Sequence, residues 1–341
     1  MVTTVLVTGG AGFIGSNLVR YLRRERKDWR IFNIDKLTYA GNLNNLAGIE
    51  VGPDYSFVKG DVADRAMLSR VWARRKVKYV FHLAAETHVD RSLKDAVPFI
   101  RANVEGTAVL LDIARAEGVE KFIYMSTDEV YGAVPRGSDE VFTEDSPLKP
   151  RNPYSATKAG ADLLCQVAHS SRDMPVVIVR AANNYGPYQH PEKFLPLMLT
   201  NLMQGNKVPV YGTGQQMRDW LYVEDTCKAL VGLAERAEPG SVYNVAGSGL
   251  IPNIELARKV LSVMRLEEEE SLKMVADRPG HDFSYPLNAD KIERELNIRS
   301  ETRLDDGLRR TIFWYRNNEA WWRPIREGRF KDYYKEQYSE L

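Results

Sequence analysis

The octapeptide T-G-G-A-G-F-I-G, Thr8–Gly15, limits what this chain can fold into more than any other stretch. An apolar run, Thr4–Thr8, leads into it, and a segment of helical spacing, F-I-G-S-N-L-V-R-Y-L, follows it. A strand that turns at once into a helix needs backbone freedom at the bend, which Gly9 supplies. Gly12 lets the main chain approach a ligand, and Gly15 lets helix and strand lie close. The spacing is G-x-x-G-x-x-G, not the commoner G-x-G-x-x-G. The first N–H groups of such a helix have no partner within it and attract an anion, so the loop suits a pyrophosphate.

An acid follows at the distance a dinucleotide site requires. Asp35 closes F-N-I-D at the end of the second apolar run. A carboxylate there accepts hydrogen bonds from the adenosine ribose hydroxyls and repels a 2′-phosphate, so NAD is expected over NADP. The neighbouring Lys36 pulls the other way. Asp61, in V-K-G-D-V, closes the third run and is placed to meet the adenine amino group.

The rest of the first half repeats the pattern. Strand-like runs at Thr4–Thr8, Arg30–Ile34, Ser56–Lys59, Tyr79–Leu83, Lys121–Met125 and Pro175–Arg180 alternate with helical segments such as Pro98–Glu117. Nearly continuous apolar strands are covered on both faces. The expected fold is therefore α/β, a Rossmann-type doubly wound parallel sheet. Beyond about residue 185, Pro and Gly become frequent and short elements mix: Val208–Tyr211, Val242–Val245, Ile254–Val263, Leu272–Val275. We expect residues 1–185 to form the dinucleotide domain, with part of 215–250 returning to it. Residues 186–341 then form a smaller, interleaved α/β substrate domain with its tail.

Forty-seven basic and 46 acidic residues leave a formal charge of +1, which gives no pull toward nucleic acid or anionic membrane. The runs R-R-E-R-K and E-E-E-E read as solvated faces. Two cysteines, Cys165 and Cys227, are too few for a disulfide framework or a zinc site. The five histidines (82, 88, 169, 190 and 281) lack any ligand spacing, so no metal is expected. His82, inside an apolar strand, reads as a core histidine. No secretory signal pattern and no run of 18 apolar residues is present. The expected compartment is a reducing cytosol.

Two short motifs carry chemistry. Y-S-A-T-K places Tyr154 and Lys158 a helical turn apart on one face. A phenol has a pKa near 10. A neighbouring ammonium and a positive nicotinamide ring would lower it. The resulting phenolate could take a proton from a sugar hydroxyl as hydride leaves the same carbon. The other motif, S-T-D-E-V-Y-G, sets Asp128 beside Glu129 just past the fifth run. Adjacent acids at a strand exit either cap a turn or form a pair of proton-transfer groups.

With these stretches in view, the chain resembles the extended short-chain dehydrogenase/reductase superfamily. Within it, the chain is similar to the nucleotide-sugar 4,6-dehydratases over almost its whole length. The motifs are T-G-G-A-G-F-I-G, D-K-L-T-Y-A-G-N-L, H-L-A-A-E-T-H-V-D-R-S, S-T-D-E-V-Y-G, Y-S-A-T-K, N-N-Y-G-P-Y-Q-H-P-E-K, R-D-W-L-Y-V-E-D and D-R-P-G-H-D. The T-D-E triplet discriminates, because epimerases of the family usually carry small, non-acidic residues there.

The resemblance implies oxidation of a nucleotide hexose at carbon 4, loss of water across carbons 5 and 6, and hydride return to carbon 6. dTDP-glucose is the foremost substrate, and 6-deoxysugar synthesis such as rhamnose the setting. Glu129 would be the base at carbon 5 and Asp128, held protonated, the acid for the departing hydroxyl. Thr127 would hold the carbon 4 oxygen, and Tyr154 and Lys158 would complete the catalytic set.

An NAD shell is implied at Gly9, Gly12, Phe13, Ile14, Gly15, Asp35, Lys36, Thr38, Asp61, Val62, Leu83, Ala84, Ala85, Thr87, Tyr154, Lys158 and Asn183. A nucleotide-sugar shell is implied at Thr87, Thr127, Asn184, Lys193, Phe194, Pro209, Tyr211, Arg218, Asn253, Arg278 and His281. Lys193 and Arg218 suit diphosphate oxygens, Arg218 as a bidentate fork; Tyr211 suits stacking on the base. A homodimer is implied, built from helices near 98–117 and 152–170 in a four-helix contact. Trp314, Trp321 and Trp322 are expected to cover the substrate domain.

The chain departs from the family's pattern near the nucleotide pocket. Phe283 and Ser284 stand where two basic residues are usual, Leu250 where an acid falls, and Thr213 within the usual Y-G-D-G. A UDP- or CDP-hexose therefore stays open as substrate. So does a UDP-sugar epimerase or decarboxylase activity, against which Asp128 argues. A dinucleotide-sensing protein without chemistry would have lost Tyr154, Lys158 or the acids, and all are present.

Overall fold

Apolar runs that must be covered on both faces are best served by alternating with helices. The structure, a computed structural model, describes residues 2–73, 75–277 and 280–328. Twelve strands occur among the described residues. They are β1 Thr3–Thr8, β2 Trp29–Asp35, β3 Tyr55–Lys59, β4 Val77–His82, β5 Lys121–Thr127, β6 Val176–Ala181, β7 Asn183–Tyr185, β8 Val208–Tyr211, β9 Met217–Tyr222, β10 Val242–Val245, β11 Leu250–Pro252 and β12 Leu272–Val275.

Seven of these form the main sheet, in the order β10-β6-β5-β4-β1-β2-β3, all parallel. The fold is therefore the doubly wound α/β architecture expected. Side chains alternate across it as a pleated strand requires. Val5, Val7, Ile31, Phe81 and Val177 join the core on one face, and Leu6, Phe32, Val80, Phe122 and Ile178 the core on the other. Strand order reverses between β1 and β4, which opens a crevice at the carboxyl ends of the strands.

After β6 the chain supplies β7, β8 and β9, returns through β10 to the main sheet's edge, and then adds β11 and β12 to complete two smaller sheets, β11-β9-β7 and β12-β8. The strand β9 was not foreseen; its residues stood in the sequence only as the motif R-D-W-L-Y-V-E-D. The segment Asn253–Met264 is a helix. The carboxyl-terminal helices, Leu304–Asn317 and Glu319–Glu327, close a third core in which Tyr315, Trp321 and Trp322 pack with Tyr185, Leu195 and Trp220.

The long helix expected over 98–117 runs from Val97 to Ala116, but its turns widen to π geometry over Ile100–Glu105. Such widening concentrates at functional sites. Here it lets the Asn103 amide reach out of the helix, donating to the Glu86 carbonyl at 3.0 Å and to Thr157 Oγ1 at 2.9 Å. Among the described residues no helix is long and apolar enough to cross a membrane.

Candidate active site

The crevice opens into a cavity of about 600 Å³. Its base is the glycine loop. Gly9 has φ of +73°, and a Cβ there would lie 2.7 Å from the Ala84 nitrogen; at Gly15 it would lie 2.1 Å from the Gly9 oxygen. The helix Phe13–Glu25 starts at Gly12 with no side-chain cap, so its first N–H groups remain for a ligand's charge. Every residue expected around the cofactor lines this cavity.

Asp35 is buried, and its oxygens accept the Ala11 N–H at 2.9 Å and the Leu37 N–H at 2.7 Å. Burial raises its pKa, and these backbone donors oppose the rise. Lys36 Nζ lies 2.8 Å from Asp61 Oδ2, and Arg101 lies 3.7 Å from the same oxygen. Burial works against the Asp61 charge, yet Lys36, the Ala63 N–H and Arg101 outweigh it and hold the carboxyl below its usual range. Lys36 is thus engaged by an acid rather than turned toward a 2′-phosphate, as an NAD site requires.

A cluster of unpaired polar atoms supports a polar occupant. Ser126 Oγ, Asp128 Oδ2, Asn183 Oδ1 and Gln189 Oε1 are buried without a protein partner, and their residues all line the cavity. Leaving one such group unsatisfied costs about 1–3 kcal/mol, so several together mark a place where a ligand completes the bonding.

The residues expected to carry the chemistry gather where β5 ends. Thr127 Oγ1 donates to Asp128 Oδ1 at 3.0 Å and accepts the Glu129 N–H at 3.4 Å, which fixes the tight turn Asp128–Tyr131. Asp128 is 2 % exposed. Burial, and then the charge of Glu129, push its pKa up to about 8. Glu129 instead accepts the Asn152 Nδ2–H at 3.1 Å.

That same asparagine caps the helix Pro153–Arg172. Its Oδ1 accepts the Ser155 N–H at 2.8 Å, while Ser155 Oγ receives the Asn152 N–H at 3.2 Å, and Pro153 occupies the first turn. The cap sets the helix that carries Tyr154 and Lys158, both buried. Lys158 Nζ donates to the Met125 carbonyl at 2.5 Å and sits 4.3 Å over the Tyr124 ring, with burial lowering it to about 7.

The expected lowering of the Tyr154 phenol is not found. Burial raises it, the nearby Glu129 and Asp128 raise it further, and only the Thr127 hydroxyl lowers it. The reason is burial first, with the acidic side chains of Glu129 and Asp128 beside the phenol, while the Lys158 ammonium is directed to the Met125 carbonyl.

A smaller cavity of about 200 Å³ continues from the first, and Glu129, Asn183, Asn184, Gln189, Glu192 and Lys193 line both. Glu129 thus stands at the junction, with Asp128 beside it on the wall of the larger cavity. Of the residues expected around a nucleotide sugar, Phe194, Pro209, Tyr211, Arg218, Asn253 and His281 line the smaller cavity, Asn184 and Lys193 line both, Thr87 and Thr127 line the larger, and Arg278 lies outside the described residues.

Lys193 Nζ donates to the Thr87 carbonyl at 2.8 Å, joining the two walls. Thr226 Oγ1 donates to Asn184 Oδ1 at 2.5 Å. Arg218 differs from the fork expected. Its Nη1 and Nη2 donate to the carbonyls of Met217, Phe283 and Asp282, because the segment after His281 folds over it. Ser284 joins that segment to Val134 through a bridge and a 3.3 Å hydrogen bond from its Oγ to the Val134 carbonyl.

Several lining residues were not foreseen. Glu192, its side chain 1 % exposed, lies 3.5 Å from Arg91 Nε and 3.6 Å from His88 Nε2, and burial raises its pKa. It stood inside H-P-E-K, where nothing local favoured the acid over Lys193. Gln189 and Tyr285 also went unmarked. The Tyr285 hydroxyl donates to Asp282 Oδ2 at 2.6 Å under the Arg218 guanidinium, which lies 4.7 Å over the ring. His82 is a satisfied core residue, its two nitrogens within 2.8 Å of Thr8 Oγ1 and 2.9 Å of Thr107 Oγ1, with burial lowering it to about 3.

A glycine loop and ribose acid at the switch of a parallel sheet, beside a helix bearing Tyr154 and Lys158, define a nicotinamide-dependent enzyme of the extended short-chain class. The model of the NAD dependent epimerase/dehydratase family matches residues 5–246, and the chain belongs to that family. It is 44 % identical to a dTDP-glucose 4,6-dehydratase from Streptomyces niveus, over 94 % of this chain and 95 % of that one. A dTDP-glucose 4,6-dehydratase from Neisseria meningitidis is 42 % identical over 96 % and 97 %. The dTDP-glucose 4,6-dehydratase of Streptomyces venezuelae, solved with NAD bound, superimposes with a TM-score of 0.90 at 43 % identity, covering 95 % of this chain and all of that one.

Proposed function

We propose that the chain is a hydro-lyase that converts dTDP-glucose to dTDP-4-keto-6-deoxyglucose with NAD held through the cycle. The observation that carries this reading is the pair Asp128 and Glu129. They are adjacent in sequence and set in unequal surroundings, Glu129 where the two cavities meet and Asp128 in the wall of the larger. Elimination across two carbons needs a base and an acid at once. Two carboxyls can divide those tasks only when their environments push them apart.

The chemistry supplied by bound NAD is removal of hydride from carbon 4 and its return to carbon 6. The protein supplies the proton movements. Tyr154 takes the proton of the carbon 4 hydroxyl, and release of that proton to solvent balances the one Asp128 regains after giving its own to the departing hydroxyl. Thr127 holds the carbon 4 oxygen. Oxidation makes the carbon 5 proton acidic, and Glu129 removes it. Asp128, neutral at pH 7, gives its proton to the carbon 6 hydroxyl, which departs as water. Glu129 then returns a proton to carbon 5.

The test is a mass spectrum of dTDP-glucose incubated with the protein in heavy water. Loss of one water with gain of one deuterium supports the reading. Turnover of UDP- or CDP-glucose alone would move the substrate assignment to another nucleotide. Isomerisation without water loss would overturn the roles of Asp128 and Glu129.

The finer setting belongs to the same reading. The 4-keto-6-deoxy product suits synthesis of a 6-deoxyhexose such as rhamnose, and two free thiols suit a reducing cytosol. A homodimer is supported by Leu163 and Val167, four residues apart on the Tyr154 helix, and by Val97 and Ile100 on the neighbouring helix. All four are at least half exposed.

A further inference from the structure

The aromatic carboxyl-terminal helices reach the cofactor loop through one indole. Trp321 Nε1 donates to Asn45 Oδ1 at 2.8 Å. Asn45 is 1 % exposed, and its Nδ2 donates to the Ala11 carbonyl at 2.8 Å. Ala11 is the central residue of the glycine loop, and its own N–H is the one that Asp35 accepts. A relay of three hydrogen bonds thus runs from residue 321 to the carboxylate that faces the ribose position.

The relay has one polarity. An indole nitrogen can only donate, so Asn45 must present its oxygen to Trp321 and its amide to Ala11. Flipping the amide would set donor against donor and oxygen against oxygen. The Asn45 carbonyl is fixed as well, by Arg20 Nε at 3.1 Å and Nη2 at 2.9 Å. The Arg20 guanidinium in turn lies 4.6 Å over the Tyr188 ring, which packs on Trp314 at 4.6 Å and Trp321 at 5.9 Å. Tyr188 has φ of +67°, a conformation costly for an aromatic residue unless its surroundings impose it. The next residue, Gln189, lines both cavities, and its carbonyl accepts the Tyr315 hydroxyl. The same two helices therefore brace the glycine loop and the loop that follows β7.

We infer that Trp321 and Asn45 are a positioning pair for the glycine loop, and that the carboxyl-terminal helices act as a clasp that retains NAD through turnover. The inference rests on the reading that the larger cavity holds NAD. A cofactor that gives back what it removed must not leave between the two steps. A loop braced from behind keeps its N–H groups aligned without using any side chain inside the cavity.

The test uses the full chain stripped of cofactor, in the forms Trp321→Phe, Asn45→Ala and the double variant. Calorimetry gives the dissociation constants of NAD and, separately, of dTDP; circular dichroism checks folding. Each single variant is expected to weaken NAD about tenfold, the loss of one buried hydrogen-bonded brace, and to leave dTDP within about twofold. The double variant is expected to be no worse than Asn45→Ala, because the two act through one path. During turnover of dTDP-glucose, the variants should release NADH that the unmodified protein keeps.

Unchanged NAD affinity in a folded Trp321→Phe or Asn45→Ala protein overturns the clasp. Equal weakening of NAD and dTDP also overturns it, since that marks a general loosening. If Trp321→Phe does not fold, Asn45→Ala decides by the same two constants. An unmodified chain that binds no NAD overturns the cavity reading and the clasp together, whereas normal binding with indifferent variants overturns the clasp alone.

Discussion

At the scale of single residues, Asp128 and Glu129 share a turn but not an environment. The Asp128 carboxyl is raised from 3.8 to about 8 by burial first and by Glu129 second. In the proposed role of proton donor it must stay neutral, so water loss should fall as pH rises through about 8, and Asp128→Asn should remove that limb along with most of the activity. Both Asp128→Asn and Glu129→Gln are expected to lower water loss by about 10²–10⁴-fold while NAD affinity stays unchanged. The raised carboxyl also affects folding. The folded state binds this proton more tightly than the unfolded chain does, so its contribution to stability is complete below about 4 and is lost as pH rises toward 8. Asp128→Asn, always neutral, should therefore melt higher than the unmodified protein at pH 8, with the gap closing near pH 4. A thermal melt at both values checks the sign. Equal gaps at the two pH values would mean that Asp128 is not held neutral.

At the scale of elements, the helix Pro153–Arg172 begins with a residue that also serves the site. Asn152 caps the helix through Oδ1 and steadies Glu129 through Nδ2. Asn152→Ala should lower stability by about 1 kcal/mol in a urea titration, whereas Asn152→Ser should keep most of the cap. Both remove the donor to Glu129, so both should slow water loss. A Ser variant that is stable and fully active would show that the Glu129 contact is dispensable. The main strands and this helix were legible because their signals are local: apolar runs, glycine spacing and a four-residue interval. The strand β9 was not, since Met217–Tyr222 takes its meaning from pairing with β7 and β11, distant in sequence. Glu192 was illegible for a related reason. An acid in a polar loop looks solvated until Arg91 and His88 close around it. The turn of Arg218 toward Asp282 and Phe283, and of Lys158 toward Met125, likewise depends on backbone carbonyls that residue types do not reveal.

At the scale of the whole molecule, the apolar face of Leu163 and Val167 bears on assembly. Leu163→Arg with Val167→Arg should yield a monomer by sedimentation if that face joins two copies, and an unchanged species would refute the arrangement. The sheet itself has a further consequence. The chain leaves its main sheet at Ala181 and restores the last strand only at Val242, so β6 lies at a free edge until then. All six residues of β6 are buried in the finished protein. During synthesis, an apolar edge with unmet backbone donors and acceptors must wait for residues not yet made, and such an edge invites pairing with another chain. A fragment ending near residue 185 is therefore expected to precipitate although it contains the entire glycine loop, while the full chain, in which β10 covers that edge and the carboxyl-terminal helices close the third core, is expected to stay in solution. The hazard of this architecture falls on the ribosome rather than on the folded protein, and it favours either rapid translation across the gap or a chaperone that shields the edge meanwhile.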